Sequence, residues 1–381
     1  MKKIAVVTAT RAEYGILMPL IKAIEADSDL KLDLIVTGTH LSEKYGYTKN
    51  YIMKDGFTIS HEIPILDGDN TPYGVSVTMS NAIKSFAECF KNDRPDMLVI
   101  LGDRTEMLGI AAAAMNERIP IAHIHGGEVT EGAVDDCIRH AITKMSYLHF
   151  TSTEIYRKRV IQLGEAPERV FFVGALSTEN ILKTPLLSET EIKNDVGIPK
   201  NMRYAVVTFH PVTLEYDSAE KHTKNLCRAM SECDKYFYLI TMANSDTGGD
   251  TVNEMLENFS KTNGNIKLVS SLGMVKYLSA VKYAEFVLGN SSSGIIEAPV
   301  LGTPTVNIGD RQRGRLAADT VINCGTDTQS ILNAIKYSEA VERKPALIYG
   351  DGNTSEKIVR IIKDHLFNKK IDLKKKFYDI M

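Results

Sequence analysis

The stretch His-Ile-His-Gly-Gly-Glu at 123–128, followed by Asp135, Asp136, Arg139 and His140, concentrates ionisable side chains directly after an apolar run, Ile119 to Ile124. Buried charge must be paired or its pKa must move, so such a density at a strand end is costly unless it performs acid/base work. Asp103, in Gly102-Asp103-Arg104 after another apolar run, adds a further carboxylate. His123 with Glu128 or His125 would also serve as metal ligands. The Gly-Gly-Glu continuation and the arginines nearby fit an anionic organic substrate better, and His123, alternating with Ile124, reads as a core or supporting histidine. Helical ion pairing alone is the competing account of Asp135, Asp136, Arg139 and His140, which stand at i,i+3 and i,i+4 spacings.

A second constellation suits phosphate. Gly289-Asn290-Ser291-Ser292-Ser293-Gly294 lies between a predicted strand and helix, which places backbone N–H groups and hydroxyls at a helix N-terminus. Glu297, one turn on, is placed to accept hydrogen bonds from two ribose hydroxyls, or else to act as a first-turn dipole partner. Arg11, Arg104, Arg311 and Arg313 each follow a predicted strand, where a guanidinium fork matches diphosphate oxygens; any one alone would be an ordinary surface ion pair. His210, in Phe209-His210-Pro211, follows the first strand of the second half. There is no G-x-x-x-x-G-K-[ST], and no G-x-G-x-x-G after the first strand, so ATP and NAD in their commonest seats are not expected.

The elements that must position these residues alternate. Lys3–Thr8, Lys31–Thr37, Met97–Leu101, Ile119–His123, Tyr147–Thr151 and Val170–Val173 read as strands, with helices at Tyr14–Glu25, Tyr73–Lys91, Glu106–Arg118 and Val134–Met145 between them. Such β-α repetition predicts a doubly wound parallel α/β sheet with its ligands outside the carboxyl ends of the strands. Gly174–Ser188, polar and aperiodic with Pro185, reads as a linker. A second series follows, with strands at Tyr204–Thr208, Tyr236–Thr241, Ile266–Val269, Phe286–Leu288 and Thr305–Ile308. The expected division is 1–175, 186–354, and a C-terminal helix and tail at 355–381 packing back on the N-terminal domain. Within that last segment Ser355–Asn368 is amphipathic, and the Lys-rich tail Lys369–Lys376 reads as a solvated face.

At 381 residues the chain is long enough for two domains and a cleft. A net charge of −3, with 24% charged residues, implies neither nucleic acid nor a membrane as partner. The first apolar run, Ile4 to Val7, is too short for a signal peptide or a membrane span, so a cytoplasmic protein is expected. Five scattered cysteines without a C-x-x-C pair suggest neither a disulfide framework nor structural zinc.

Thr10-Arg11-Ala12-Glu13-Tyr14-Gly15, Leu101 to Arg104, His123 to Glu128, Ile138-Arg139-His140 with Thr143 to Ser146, Phe209-His210-Pro211, Gly289 to Glu297 and Asn307 to Arg311 together resemble the hydrolysing UDP-N-acetylglucosamine 2-epimerases, especially the branch serving bacterial sialic acid capsules. The resemblance spans nearly the whole chain. It implies two Rossmann-like domains facing a cleft, the GT-B arrangement, with UDP contacted by Arg11, Gly15, Arg104, Asn244, Ser291, Ser292, Glu297 and Arg311, the base near the backbone of Leu272, and His210 beside the diphosphate. It also implies elimination of UDP from C1 with loss of the C2 proton to give a 2-acetamidoglucal, then hydration with protonation of C2 from the other face. Two proton transfers on opposite faces need at least two acid/base groups. By resemblance these are Asp103, His125, Glu128 and Asp135, with His210 at the leaving group and Asp136 and Arg139 in support. Another branch, including the animal enzyme, is similar but has Glu where this chain has His125. Either the imidazole does that work, histidine being the side chain that exchanges protons near neutral pH, or Glu128 does, and His125 is favoured.

The family implies no metal and no cofactor. The expected partners are a UDP-sugar substrate, UDP as product, and further copies of the chain in a homo-oligomer, a dimer or tetramer. Within the class, UDP-N-acetylglucosamine leading to N-acetylmannosamine and sialic acid is the main expectation. The alternative is UDP-2,4-diacetamido-2,4,6-trideoxyglucose (UDP-N,N′-diacetylbacillosamine), leading to legionaminic acid. A UDP-sugar glycosyltransferase on the same fold, or a sensor that binds without turnover, would need none of the acid/base excess at 103–140.

Overall fold

Runs of Val, Ile, Leu and Ala without polar alternation make strands that are buried on both faces, and a chain that inserts helices between such strands pairs them in parallel. The structure is a computed structural model that describes all residues except 69–70, 130–133, 212–218, 243–248, 271 and 381, together with the side chains of 249 and 250. It divides into two units, Met1–Asn180 with Tyr349–Met381, and Ile181–Ile348.

The first unit runs β1 (Lys2–Thr8), α1 (Arg11–Glu25), β2 (Leu30–Thr37), α2 (Lys49–Lys54), β3 (His61–Ile63), α3 (Pro72–Asn92), β4 (Met97–Leu101), α4 (Thr105–Asn116), β5 (Ile121–Ile124), α5 (Asp135–Met145), β6 (Leu148–Thr151), α6 (Glu154–Gln162) and β7 (Val170–Phe172). The chain leaves this unit within α7 (Leu176–Lys183). The second unit runs α8 (Glu189–Val196), β8 (Tyr204–Thr208), α9 (Ala219–Glu232), β9 (Phe237–Thr241), α10 (Gly249–Thr262), β10 (Ile266–Val269), α11 (Gly273–Tyr283), β11 (Val287–Gly289), α12 (Ser293–Val300), β12 (Thr305–Ile308), β13 (Val321–Cys324) and α13 (Thr328–Ser338); α14 (Thr354–Lys363) belongs to the first unit again.

Both sheets are parallel, with strand orders β3-β2-β1-β4-β5-β6-β7 and β10-β9-β8-β11-β12-β13. In each, the order reverses once, between β1 and β4 and between β8 and β11. The loops leaving such a pair diverge, and the crevice at their carboxyl ends is where doubly wound sheets bind ligands.

Strand alternation sorts the first unit's core into two layers. Ile4 and Val6 pack with Leu17, Ile21 and Ile24 of α1 and with Ile358 and Ile362 of α14. Ala5 and Val7 pack with Phe86 and Phe90 of α3, Ile110 of α4 and Ile142 of α5. Each fully buried Val, Leu, Ile or Phe among them stabilises the fold by roughly 1.5–3 kcal/mol. All five residues of β4 are buried, so Gly102, Asp103 and Arg104 emerge from a rigid strand end.

Three local expectations differ from the structure. The supposed linker at 174–188 contains α7, and Ser188 opens α8 with a capping box to Glu191. Helices this short leave little periodicity to read. The strand β3 has three residues paired to the edge of β2, too few for a pattern. The Lys-rich tail is not uniformly solvated: Lys375 Nζ lies 2.5 Å from the buried Glu165 carboxylate and donates to the Ser146 carbonyl at 2.8 Å. Among the described residues no helix is long and apolar enough to cross a membrane.

Candidate active site

At the first unit's reversal, Thr10 caps α1 by accepting the Glu13 N–H at 3.2 Å, while Glu13 Oε2 reaches back to the Ala9 N–H at 3.0 Å. This fixes the turn that carries Arg11. Glu13 is buried, and desolvation pushes its carboxyl up to about 7 although Arg104 opposes the shift. Sequence reasoning passed over Glu13 as a site residue. Its signal was a carboxylate two residues beyond Arg11, at a strand end that also has to accommodate Arg104.

Arg139 organises the other side of the crevice. It is 4% exposed, and its guanidinium pairs with the Asp103 carboxylate, donates to Asp136 Oδ1 at 2.6 Å and donates to the Glu128 carbonyl at 2.7 Å. One side chain thus ties β4, α5 and the loop after β5 together. The Asp136–Arg139 pairing is the helical i,i+3 contact, but the bonds to Asp103 and Glu128 go beyond helix stabilisation. Asp135 is exposed in the first turn of α5, close enough to Arg104 to act on its charge.

The loop 125–128 is built with strain. His125 has φ +68°, a left-handed conformation that a non-glycine residue adopts only when its surroundings impose it. Its N–H is fixed to the Phe150 carbonyl at 2.9 Å. Gly127 follows at φ +80°, and a Cβ there would stand 2.4 Å from the Tyr156 carbonyl, so only glycine fits. His125 Nδ1 lies 3.7 Å from Glu128 Oε1, which accepts from the Ser152 hydroxyl at 2.7 Å. His125 Nε2 is buried with no partner among the described residues. It is therefore a buried ring nitrogen at a strand end whose hydrogen-bonding capacity is unmet among the described residues.

His123 is a different kind of residue. It is fully buried; Nε2 donates to the Gly102 carbonyl at 2.7 Å and Nδ1 accepts from the Thr143 hydroxyl at 3.2 Å. Burial pushes its pKa down to about 3, so it stays neutral. Both ring nitrogens are occupied, which leaves neither for a metal ion. Among the described residues, the side chains with ligand-type atoms close together are Asp33, His61 and Asp93, towards the amino-terminal ends of the strands. Lys3 pairs with Asp93 there, making a charge network.

Arg11 and Gly15 lie at the start of α1. The Arg11 guanidinium stacks 4.6 Å from the Tyr51 ring centroid, and the Gly15 carbonyl accepts from Asn180 at 2.7 Å. Arg104 is held by Glu106 at 2.6 Å.

In the second unit the reversal forms a pocket of about 470 Å³ lined by His210, Leu272, Tyr277, Ser291, Ser292 and Glu297 among others. Gly289 has φ +137°, and a Cβ would stand 2.0 Å from the Thr208 carbonyl, so β8 and β11 approach backbone to backbone here. Asn290, 1% exposed, then clamps the two loops: it accepts the His210 N–H at 2.7 Å and donates to the His210 carbonyl at 2.8 Å. Its own carbonyl accepts from Gln312 at 2.8 Å and from Arg311 at 3.2 Å. The Tyr277 hydroxyl pairs with Ser293 at the start of α12. Glu297, on the next turn, is pushed up to about 7 by burial. Hydroxyls and N–H groups at a helix start, with a carboxylate a turn away, form a nucleotide-type seat. Asn290 stands within the phosphate motif, but its clamp on His210, like the contacts of Tyr277 and Gln312, was not legible because these are contacts between distant segments. Asn244 lies outside the described residues.

The sequence profile of the UDP-N-acetylglucosamine 2-epimerase family matches residues 22–363. The chain is 42% identical over 323 residues, 84% of each protein, to the hydrolysing GDP/UDP-N,N′-diacetylbacillosamine 2-epimerase of Campylobacter jejuni. It is 39% identical to the polysialic acid biosynthesis protein P7 of Escherichia coli, covering 100% of this chain and 98% of that protein. Its fold matches the crystal structure of the UDP-GlcNAc 2-epimerase of Neisseria meningitidis bound to UDP-GlcNAc with a TM-score of 0.79, at 18% identity over 94% of this chain and 99% of the other. The two parallel α/β sheets are thus those of the GT-B-like epimerase fold. With the family profile and these relatives spanning most of its length, the chain belongs to the UDP-N-acetylglucosamine 2-epimerase family.

Proposed function

We propose that the sugar processed by this hydrolysing UDP-sugar 2-epimerase is UDP-2,4-diacetamido-2,4,6-trideoxyglucose, released as UDP and the 2-epimeric 2,4-diacetamido-2,4,6-trideoxymannose for legionaminic acid synthesis. The observation that carries this reading is the 42% identity to the diacetylbacillosamine epimerase of C. jejuni. A second reading, UDP-N-acetylglucosamine to N-acetylmannosamine for sialic acid, is favoured by the 39% identity to P7 over the full chain.

In the first step the C1–O bond breaks towards UDP and the C2 proton leaves, giving the glycal. In the second, water adds at C1 and a proton returns to C2 from the opposite face. The C2 proton has no adjacent carbonyl to acidify it, so C1–O cleavage runs ahead and the cationic centre needs carboxylates beside it. Asp103, fixed by Arg139, and Glu128, fixed by Ser152, fit that task. His125, whose Nε2 has no partner among the described residues, and Asp135 exchange the C2 protons. In the second unit, Ser291 and Ser292 bind the diphosphate, Glu297 the ribose, Leu272 lies by the base, and His210 stands at the leaving group. Arg11, Gly15, Arg104 and Arg311 complete the nucleotide contacts.

The test is a proton NMR time course in D2O offering both UDP-sugars separately. Faster release of UDP from the diacetamido sugar, with deuterium at C2 of the product, supports the proposal. Turnover of UDP-N-acetylglucosamine alone moves the assignment to the second reading, and turnover of neither removes both.

A further inference from the structure

Besides the acid/base cluster, the first unit has a pocket of about 460 Å³ at the carboxyl ends of β2 and β3, lying between the loops that follow these strands, the first turns of α3 and the start of α4. Arg104 and Glu106 form one wall, and Arg104 is the chain neighbour of Asp103. Ile65, 2% exposed, lies in its floor, and its carbonyl is fixed by Asn81 at 3.1 Å. Leu41, Leu66 and Val75 line the sides, with Tyr45 at the mouth. Leu66 and Val75 are 39% and 41% exposed, an uncovered apolar set on the rim where the chemistry sits. Contiguous exposed apolar side chains of this kind mark a binding groove.

We infer that this pocket receives the C4 acetamido and C6 methyl groups of the sugar and is the element of the site that selects a 2,4-diacetamido-6-deoxy sugar over one with hydroxyls at C4 and C6. The inference rests on the substrate reading above. With C1 and C2 at Asp103 and His125, the far side of the pyranose ring lies only a few ångströms away, and the pocket opens beside Arg104. Leu41, Ile65, Leu66 and Val75 form the apolar part of a lining that also holds Lys44, Asp67, Arg104 and Glu106, and two methyl groups set against that apolar part gain by leaving water. The acetamido N–H and carbonyl have Thr39, Ser42 and Thr78 within the same lining.

The experiment measures kcat/KM for the diacetamido substrate and for UDP-N-acetylglucosamine in wild type, Leu66→Asn and Val75→Thr, with thermal melts as the check on folding. One methylene-sized group more or less in an apolar pocket is discriminated by about 10–200-fold. The ratio of the two kcat/KM values, diacetamido over N-acetylglucosamine, is expected to fall by about tenfold or more in each variant, mainly through KM for the diacetamido sugar. An unchanged ratio in folded variants, or equal losses on both substrates, overturns the pocket assignment while wild-type preference leaves the substrate reading standing. A wild type that turns over only UDP-N-acetylglucosamine overturns the substrate reading and the assignment with it, before any variant is made. Should Leu66→Asn fail to fold, Val75→Thr, a near-isosteric change at an exposed site, decides the matter alone.

Discussion

Arg139 pairs with the carboxylate of Asp103 although thirty-six residues separate them, and the same guanidinium holds the Glu128 carbonyl at 2.7 Å. A buried cation that fixes one carboxylate and the backbone of the loop bearing another sets the distance between two acid/base groups. Removing one member of a buried pair costs about 3–5 kcal/mol because the other is left uncompensated. Arg139→Ala is therefore expected to lower thermal stability by an amount of that order and kcat by at least about 100-fold, the cost of misplacing a reacting group by an ångström. Arg139→Lys keeps the charge but loses the fork and should recover only part of each. UDP affinity, measured by calorimetry, should stay within a few-fold, because Arg139 is not among the proposed nucleotide contacts.

Asp103→Asn removes the charge and keeps the shape. It is expected to abolish UDP release from the sugar while leaving UDP affinity within a few-fold. An active variant would strike Asp103 from the mechanism.

Glu297 carries a pH signature. Burial raises its carboxyl to about 7, and accepting from both ribose hydroxyls, one on each oxygen, favours its ionised form in the proposed contact. Binding then favours deprotonation, so affinity should rise with pH between about 5 and 7 and level off above. Calorimetry with UDP-glucose, whose diphosphate diester does not titrate in this range, reads the slope directly. Glu297→Gln should bind more weakly at pH 8 and show no slope. A wild-type affinity independent of pH would place Glu297 away from the ligand.

Two buried neutral histidines predict acid sensitivity. Burial lowers His123 to about 3 and His40 to about 4, against an unfolded value near 6.5. Over the window from those values up to 6.5 the unfolded chain binds more protons, so stability is full above pH 6.5 and falls as pH drops. Each histidine contributes up to about 1.4 kcal/mol per pH unit. Denaturant unfolding at pH 7.0, 6.0 and 5.0 measures the slope. His123→Gln, which still offers a donor and an acceptor, should flatten it.

Gly289→Ala tests the second reversal. A methyl group 2.0 Å from the Thr208 carbonyl forces β8 and β11 apart, and the positive φ adds strain. Loss of UDP binding and a melting transition lowered by several degrees are expected. Gly15→Ala, where nothing lies within 4 Å of the new atom, is the control for fold stability.

The chemistry-bearing stretches were legible in the sequence because each follows a strand whose apolar run is unmistakable. Met97–Leu101, Tyr204–Thr208, Ile266–Val269 and Thr305–Ile308 have the expected bounds; the first, second and fourth are buried throughout, and Ile266–Val269, at the sheet edge, shows the same apolar run though only part-buried. The short elements were not legible: β3 holds on by three paired residues to β2, and α7 occupies what composition marks as a linker. Nor could the Lys-rich tail disclose that Lys375 turns inward to Glu165, since a lysine that meets a buried carboxylate has the same sequence signature as one that meets water.

By itself, the sequence determined the residue types at the strand ends and the class of fold that gathers them, because strand and helix periods are local properties of the chain. Only the tertiary structure decided what each of those residues touches. His123 and His125 stand two positions apart, yet the first has both nitrogens occupied by Gly102 and Thr143 while the second is held at φ +68° with no partner for Nε2 among the described residues. Hydrogen-bond partners, burial and the shifts that follow from them come from segments far away in the chain, and no local pattern records them.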